Sequence, residues 1–304
     1  MTLMATSDRS PTVTDVPTLH RPAAGRGVRA WLGGQIRHRV IGPDAETRRA
    51  ELFDTDEPGW FADDSPIRRV HSDASMFVGG LRAILLQSMH PRAMAGVAAH
   101  SDYRSDPWGR LQRTADFLAA TTFGPASQAQ RAVDVVHRVH EHVVGVGPDG
   151  LAYEANDPHL LHWVHIAEID SFLTAHDRYG EQRLVGDERD RYVAETAVVA
   201  RALGVPSPPE TERELRAHLR SFRPELRGTP AARDAARYLL VHPPLPVPGR
   251  VAYGLIAAAA VSTMPAWTRW PLRLPWLPVT DATVGRALGD AVTKTLRWVT
   301  PPSS

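Results

Sequence analysis

Three stretches of this 304-residue chain carry side chains whose types and spacing can do chemistry. The first is HSDYRSDPWGRLQRTADFLAATTFG, residues 100 to 124, where Arg104, Arg110 and Arg113 stand among aromatic and apolar neighbours. Arg110 and Arg113 lie one turn apart, and Arg110, Thr114 and Phe117 share one face of any helix that forms there. That face is either the polar lining of a pocket or a solvated edge with ion pairs to Asp102, Asp106 or Asp116. The second stretch is SQAQRAVDVVHRVHEHVVG. A helix advancing about 100° per residue puts Val133, Val136, His137, His140 and Val144 in one stripe, with His140 near its centre and His142 on the opposite face. An imidazole inside a valine stripe costs free energy unless its nitrogens find partners. Those partners are a carbonyl or carboxylate for a core histidine, or a metal. The third stretch is NDPHLLHWVHIAEIDSF, with His162, His165 and Glu168 at steps of three. Leu161, His165, Ile169 and Phe172 share a face, which points His165 inward. Two consecutive helices offering inward histidines, after one offering arginines, describe a polar pocket inside a helical bundle.

Several chemistries are excluded by what is missing. The di-iron pattern needs Glu three residues before His, and no such pair occurs. The zinc motif His-Glu-x-x-His is absent, since HEHVV has the wrong last residue, and so is the hydrolase elbow Gly-x-Ser-x-Gly. GVGPDG, residues 145 to 150, has the letters of a dinucleotide loop. It follows a helix and contains a proline, so it reads as a turn. His90 precedes Pro91 at a helix break, where capping competes with function, and His100 opens the first stretch. Asp102 and Asp106 read as caps. Haem b fits better than these, since its iron needs a neutral imidazole on an apolar wall and its propionates need guanidinium-type donors.

The elements that must position these groups are helical almost throughout. Asp106–Pro107 and Asp157–Pro158 are helix starts with Gly124 and Gly180 as stops. Pro91 restarts a helix after Leu81, Ile84, Leu85 and Met89. Further helices are expected at roughly 187–203, 210–221 and 229–241. The stretch PAWTRWPLRLPWLPVTD reads as irregular chain wrapped on the body. No set of alternating strands is evident. Residues 1–26 mix Ser, Thr, Pro and charge without period and read as a disordered tail, with one helical domain over 27–304. A formal net charge of +1 gives no long-range attraction to nucleic acid. Lys294 is the only lysine and there is no cysteine. That excludes disulfides, cysteine-ligated zinc, iron–sulfur clusters and thiolate-bound haem. The start of the chain lacks an apolar signal core. The most apolar stretch, Val251 to Met264, is too short to span a bilayer, so the expected location is cytoplasmic.

LLQSMHPRAMAGVAAHSDYRSDPWGRLQRTADFL, VHRVHEHV, LLHWVHIAEIDSF and RPELRGTPAARDAARYLL together resemble the MpaB / rubber-oxygenase (latex clearing protein) family, over about residues 45 to 265. The form resembled is the compact bacterial one. The resemblance implies an all-α fold with a globin-like core plus additional helices, holding non-covalent haem b; rubber-cleaving members use dioxygen to cut carbon–carbon double bonds. By position, His140 matches the proximal haem ligand and His137 the accompanying histidine. Arg110 and Thr114 match the distal Arg-x-x-Lys-Thr motif. Arg113 replaces its lysine, and a guanidinium is essentially never deprotonated to ligate iron. Val144 replaces a frequent arginine, and His165 matches a histidine of the following helix.

The expectation is a haem b-dependent oxidoreductase, an oxygenase acting on an apolar small molecule, unsaturated ones included, with O2 or peroxide and an electron donor as co-reactants. His140 would ligate iron, with His137, His165, Arg110 and Phe117 around the cofactor. Arg110, Arg113 and Thr114 would line the opposite side, and Glu168 is a candidate partner for the free His140 nitrogen. Two alternatives stand beside this. One is a non-haem metal enzyme built on His137, His140, His162 and His165; the other is a non-catalytic protein binding haem or an apolar ligand.

Overall fold

The computed structural model describes residues 56–300, apart from 102, 103, 148, 244, 246 and 276. The expected tail and the start of the domain at residue 27 lie outside the described residues, as does Asp102. The first helices are α1 (Pro66–Ser72), α2 (Met76–Gln87), α3 (Pro91–His100), α4 (Pro107–Phe123) and α5 (Ala126–His140). A two-stranded antiparallel hairpin follows, β1 (Val144–Val146) with β2 (Ala152–Glu154), Gly145 lying opposite Tyr153. Next come α6 (Pro158–Tyr179), α7 (Glu188–Ala202), α8 (Glu212–Phe222), a 3-10 turn at Arg223–Glu225, α9 (Pro230–Val241) and α10 (Val247–Thr263). The chain closes with the short turns α11 (Ala266–Arg269) and α12 (Pro278–Thr280), a π-turn at Asp281–Gly285, and α13 (Arg286–Val299). The protein is thus predominantly all-α, in one domain.

The helix starts follow from side chains that replace missing backbone acceptors. Asp106 accepts from the Gly109 amide and Asp157 from that of His159, each followed by proline, and Gly124 and Gly180 end those helices. His90 caps α3, its Nδ1 accepting from the Ala93 amide at 3.4 Å. The segment from Pro265 to Asp281, expected to be irregular, mixes short helical turns with irregular chain, and it is anchored from inside. Buried Arg269 donates to the Met264 and Pro275 carbonyls and pairs with Asp281 at 3.1 Å.

The hairpin is a feature the apolar pattern did not announce. Helix α5 stops at His140, and Val144, expected on its inner stripe, lies in β1 with half its surface exposed. Val144 and Val146 alternate with Gly145 and Gly147, and β-branched side chains suit an extended backbone once a partner strand is present. Within GVGPDG, Gly145 and Val146 belong to β1, Gly147 donates to the Leu151 carbonyl, and Gly150 adopts φ +77°.

Helix α6 is the axis of the fold. It buries Leu160, Trp163, Ile166, Ile169, Phe172 and Leu173 on several sides, as a central helix does. Helix α2 packs along it closely. A Cβ at Gly79 would stand 3.2 Å from the Phe172 backbone, so glycine is what permits the approach. Trp163 donates to the Gln87 carbonyl at 3.1 Å, and Gln87 returns a bond to the Val164 carbonyl at 3.2 Å. Buried Arg82 pairs with Asp170 at 2.8 Å and donates to Ser171 Oγ and the Thr263 carbonyl. One charge thereby ties α2, α6 and α10.

Candidate active site

His140 sits in the last turn of α5, where the helix gives way to the loop before β1. Val133, one face-repeat earlier, is completely buried, while Val135 and Val139 are exposed. The inner side of α5 therefore carries His137 and His140, and His142 lies outside, bonded through Nδ1 to the Arg138 carbonyl. Nδ1 of His140 is buried without a hydrogen-bond partner. Burial first, then the neighbouring His137, holds this imidazole below its ordinary pKa, against a smaller opposing effect of Asn156. Asn156 arrives from the end of the hairpin. Its Nδ2 donates to the His137 carbonyl at 3.1 Å, and its Oδ1, also buried and unpartnered, belongs to the side chain beside the His140 ring. His137 contacts the Ala202 carbonyl through Nε2 at 3.3 Å.

His165, on α6, is held neutral more strongly. Burial, then His162, lowers its pKa to about 3, and its Nε2 is buried and unpartnered. One turn further, Glu168 has its carboxyl pushed by burial up to about 7. The buried Tyr192 hydroxyl lies within its field and also lacks a partner. His71 completes this interior. Its Nδ1 meets Thr122 Oγ1 at 2.8 Å, its ring stands edge-on to Phe172 and Tyr192, and burial lowers its pKa to about 3. His162 is engaged differently, its Nε2 lying 3.0 Å from His218 Nδ1.

The arginine helix α4 packs beside α5, to which Gly124 and Pro125 join it. Arg110 is half-buried and donates to Ser101 Oγ. Phe117 is half-buried as well. Arg113 and Thr114 stand at the solvent: Arg113, 65% exposed, pairs with Asp106 at 3.3 Å, and Thr114 Oγ1 donates back to the Arg110 carbonyl. The Asp106 contact is one of the ion pairs that a solvated edge predicts. Arg110 is thus part-buried against Ser101, and Arg113 lies on the exposed edge of the helix.

A further group lies at the other end of α6. His159 Nε2 is 2.8 Å and His90 Nε2 is 3.4 Å from the same Glu225 carboxylate oxygen. Burial alone would raise the Glu225 pKa, but the hydrogen bonds from His159 and His90 hold it below the ordinary value. His159 was not singled out from the sequence, although it stands three residues before His162, the spacing that joins His162 to His165. Glu225, Asn156 and His218 carry no local signal.

Fold and site together define an all-helical protein whose interior presents neutral histidines with free nitrogens, flanked by an arginine-bearing helix. Neutral imidazole is the donor that iron and other transition metals take, so the residues present fit a histidine-ligated metal group. Residues 68–298 match the family described as ER-bound oxygenase mpaB/B'/Rubber oxygenase, catalytic domain. The chain belongs to this family, and its domain is an oxygenase catalytic domain. Neither a curated protein nor a solved structure matches the chain.

Proposed function

We propose that the protein is a haem b-dependent oxygenase that uses O2 or peroxide on an apolar, including unsaturated, small molecule and works in the cytoplasm. The observation that carries this reading is the His140 imidazole. It is neutral and part-buried, with an unpartnered nitrogen, in a chain of the oxygenase family. One ring nitrogen would ligate the iron, and Asn156, the side chain that acts on this ring, is the candidate acceptor for the proton of the other. His137 holds the turn through Ala202 and Asn156, and His165 keeps an uncharged nitrogen inside the pocket. Arg110 and Phe117 would help to hold the cofactor, the guanidinium offering the donor type that a propionate needs. Arg113 and Thr114 would supply the polar edge of the site, where the guanidinium, once turned from Asp106, would favour anionic species. Bound haem supplies the activation of oxygen or peroxide. The protein's part is an apolar, water-poor enclosure and a proton inventory set by Glu168 and the histidines.

Haem reconstitution of the purified protein tests this. The parent is expected to give a stoichiometric Soret band. His140→Ala should lose it or shift it to that of loosely held haem, and His142→Ala should keep it. An unchanged band in both variants would make His140 the wrong ligand. Oxygen consumption with an alkene then separates an oxygenase from a protein that only binds haem.

A further inference from the structure

We propose that His90, His159 and Glu225 form a second metal site, for a divalent cation of the zinc type, which uses none of the residues assigned to the His140 centre. The three side chains each offer one ligand atom, and these atoms all lie within 4.8 Å of one another. Both histidine nitrogens face the same Glu225 oxygen, at 2.8 and 3.4 Å. Zinc bonds of about 2.0–2.2 Å in a tetrahedron keep ligand atoms about 3.3 Å apart, so the cluster is already near that spacing. Two imidazoles and one carboxylate are a three-ligand set that leaves the remaining position to water.

The site is built rather than accidental. His90 forms its floor and is 1% exposed, its ring lying against those of Trp163 and Phe222. Phe222 also stacks on His159 at 4.5 Å and 23°, which fixes the plane of that ligand. The side chains of His159 and Glu225 are 45% and 36% exposed, so a cation can enter from solvent. The ligands come from three segments: the cap of α3, the first turn of α6 and the 3-10 turn after α8. Without metal, the carboxylate accepts from both rings. A cation at Nε2 of His90 moves that ring's proton to Nδ1, exchanging the long 3.4 Å contact with the Ala93 amide for a metal bond. Binding therefore clamps α3, α6 and the turn together.

The test is titration of the chelator-treated full chain with Zn2+ by calorimetry, and with Co2+ by absorption. Saturable binding of a single ion is expected, with a higher melting temperature in its presence. His159→Ala and Glu225→Gln, at partly exposed positions, should each weaken Zn2+ by at least the 10- to 100-fold typical of lost outer-shell partners and remove the thermal shift. His140→Ala should retain both, so failure here and failure of the haem reading are told apart. No saturable binding in the parent, or loss in only one of the two ligand variants, would overturn the three-ligand assignment.

Discussion

Burial keeps the imidazoles of His165 and His71 uncharged down to about pH 3, and it keeps a proton on Glu168 up to about pH 7. The two effects have opposite signs. An unfolded histidine takes up its proton near 6.5, so stability falls as pH drops from there toward 3. An unfolded Glu168 releases its proton near 4.5, so the folded state, which holds that proton to about 7, loses stability as pH rises between the two values. A shift of this size corresponds to about 3 kcal/mol above pH 7. Glu168→Gln keeps the shape of the protonated acid. It is expected to be more stable than the parent at pH 8 by up to about 3 kcal/mol and indistinguishable from it near pH 4.5, as read by urea denaturation at both. An equal difference at the two pH values would mean that Glu168 is not protonated inside the fold. Arg113 is the opposite case. Its pair with Asp106 is exposed, and such pairs contribute about 0–1 kcal/mol. Arg113→Ala should leave the melting temperature nearly unchanged and keep haem bound, while altering the ligand-binding spectrum or the rate. If spectrum and rate both stayed the same, Arg113 would be surface only.

Helices α4 and α6 begin where they do because Asp106 and Asp157 each accept a first-turn amide just before a proline. Asp106→Ala removes the cap of the arginine helix together with the partner of Arg113, and should cost about 1 kcal/mol in urea denaturation. The contact of α2 with α6 is less forgiving. A Cβ at Gly79 already meets Phe172 at 3.0 Å (Cδ1) and its backbone at 3.2 Å. Gly79→Val should cost about 1–3 kcal/mol by overpacking, measured by denaturant midpoint, and a neutral result would show that α2 can slide. Helix starts were legible because caps act over three residues. The end of α5 was not: the periodicity runs through to Val144, but pairing with Ala152–Glu154 takes the chain into β1.

One apolar core draws residues from Phe61 to Leu272, with α6 through its middle. Nothing in that core divides the described chain into separable units. Far-ultraviolet circular dichroism and tryptophan fluorescence should therefore report the same thermal transition, and separated midpoints would indicate two units. Arg82 joins three of the helices with its charge 2% exposed. Arg82→Met leaves Asp170 without its partner and should cost about 3–5 kcal/mol by the same measurement. Among the described residues no helix is long and apolar enough to cross a membrane, in keeping with the short apolar run that ends before Pro265.

The sequence by itself determined the helical class, the capped starts of α4 and α6 and the restart at Pro91, because proline, caps and a 3.6-residue period act within a few residues. It also showed the HPRA, HSD and His-x-x-His stretches on which the family membership is legible. The tertiary structure decided the rest. It left Arg113 at the solvent and Arg110 part-buried against Ser101, brought Asn156 beside His140 from across the hairpin, and placed Glu225 against His159 and His90, 66 and 135 residues away. Contacts at that separation depend on how whole helices pack, and packing leaves no periodic trace in the residues that happen to meet.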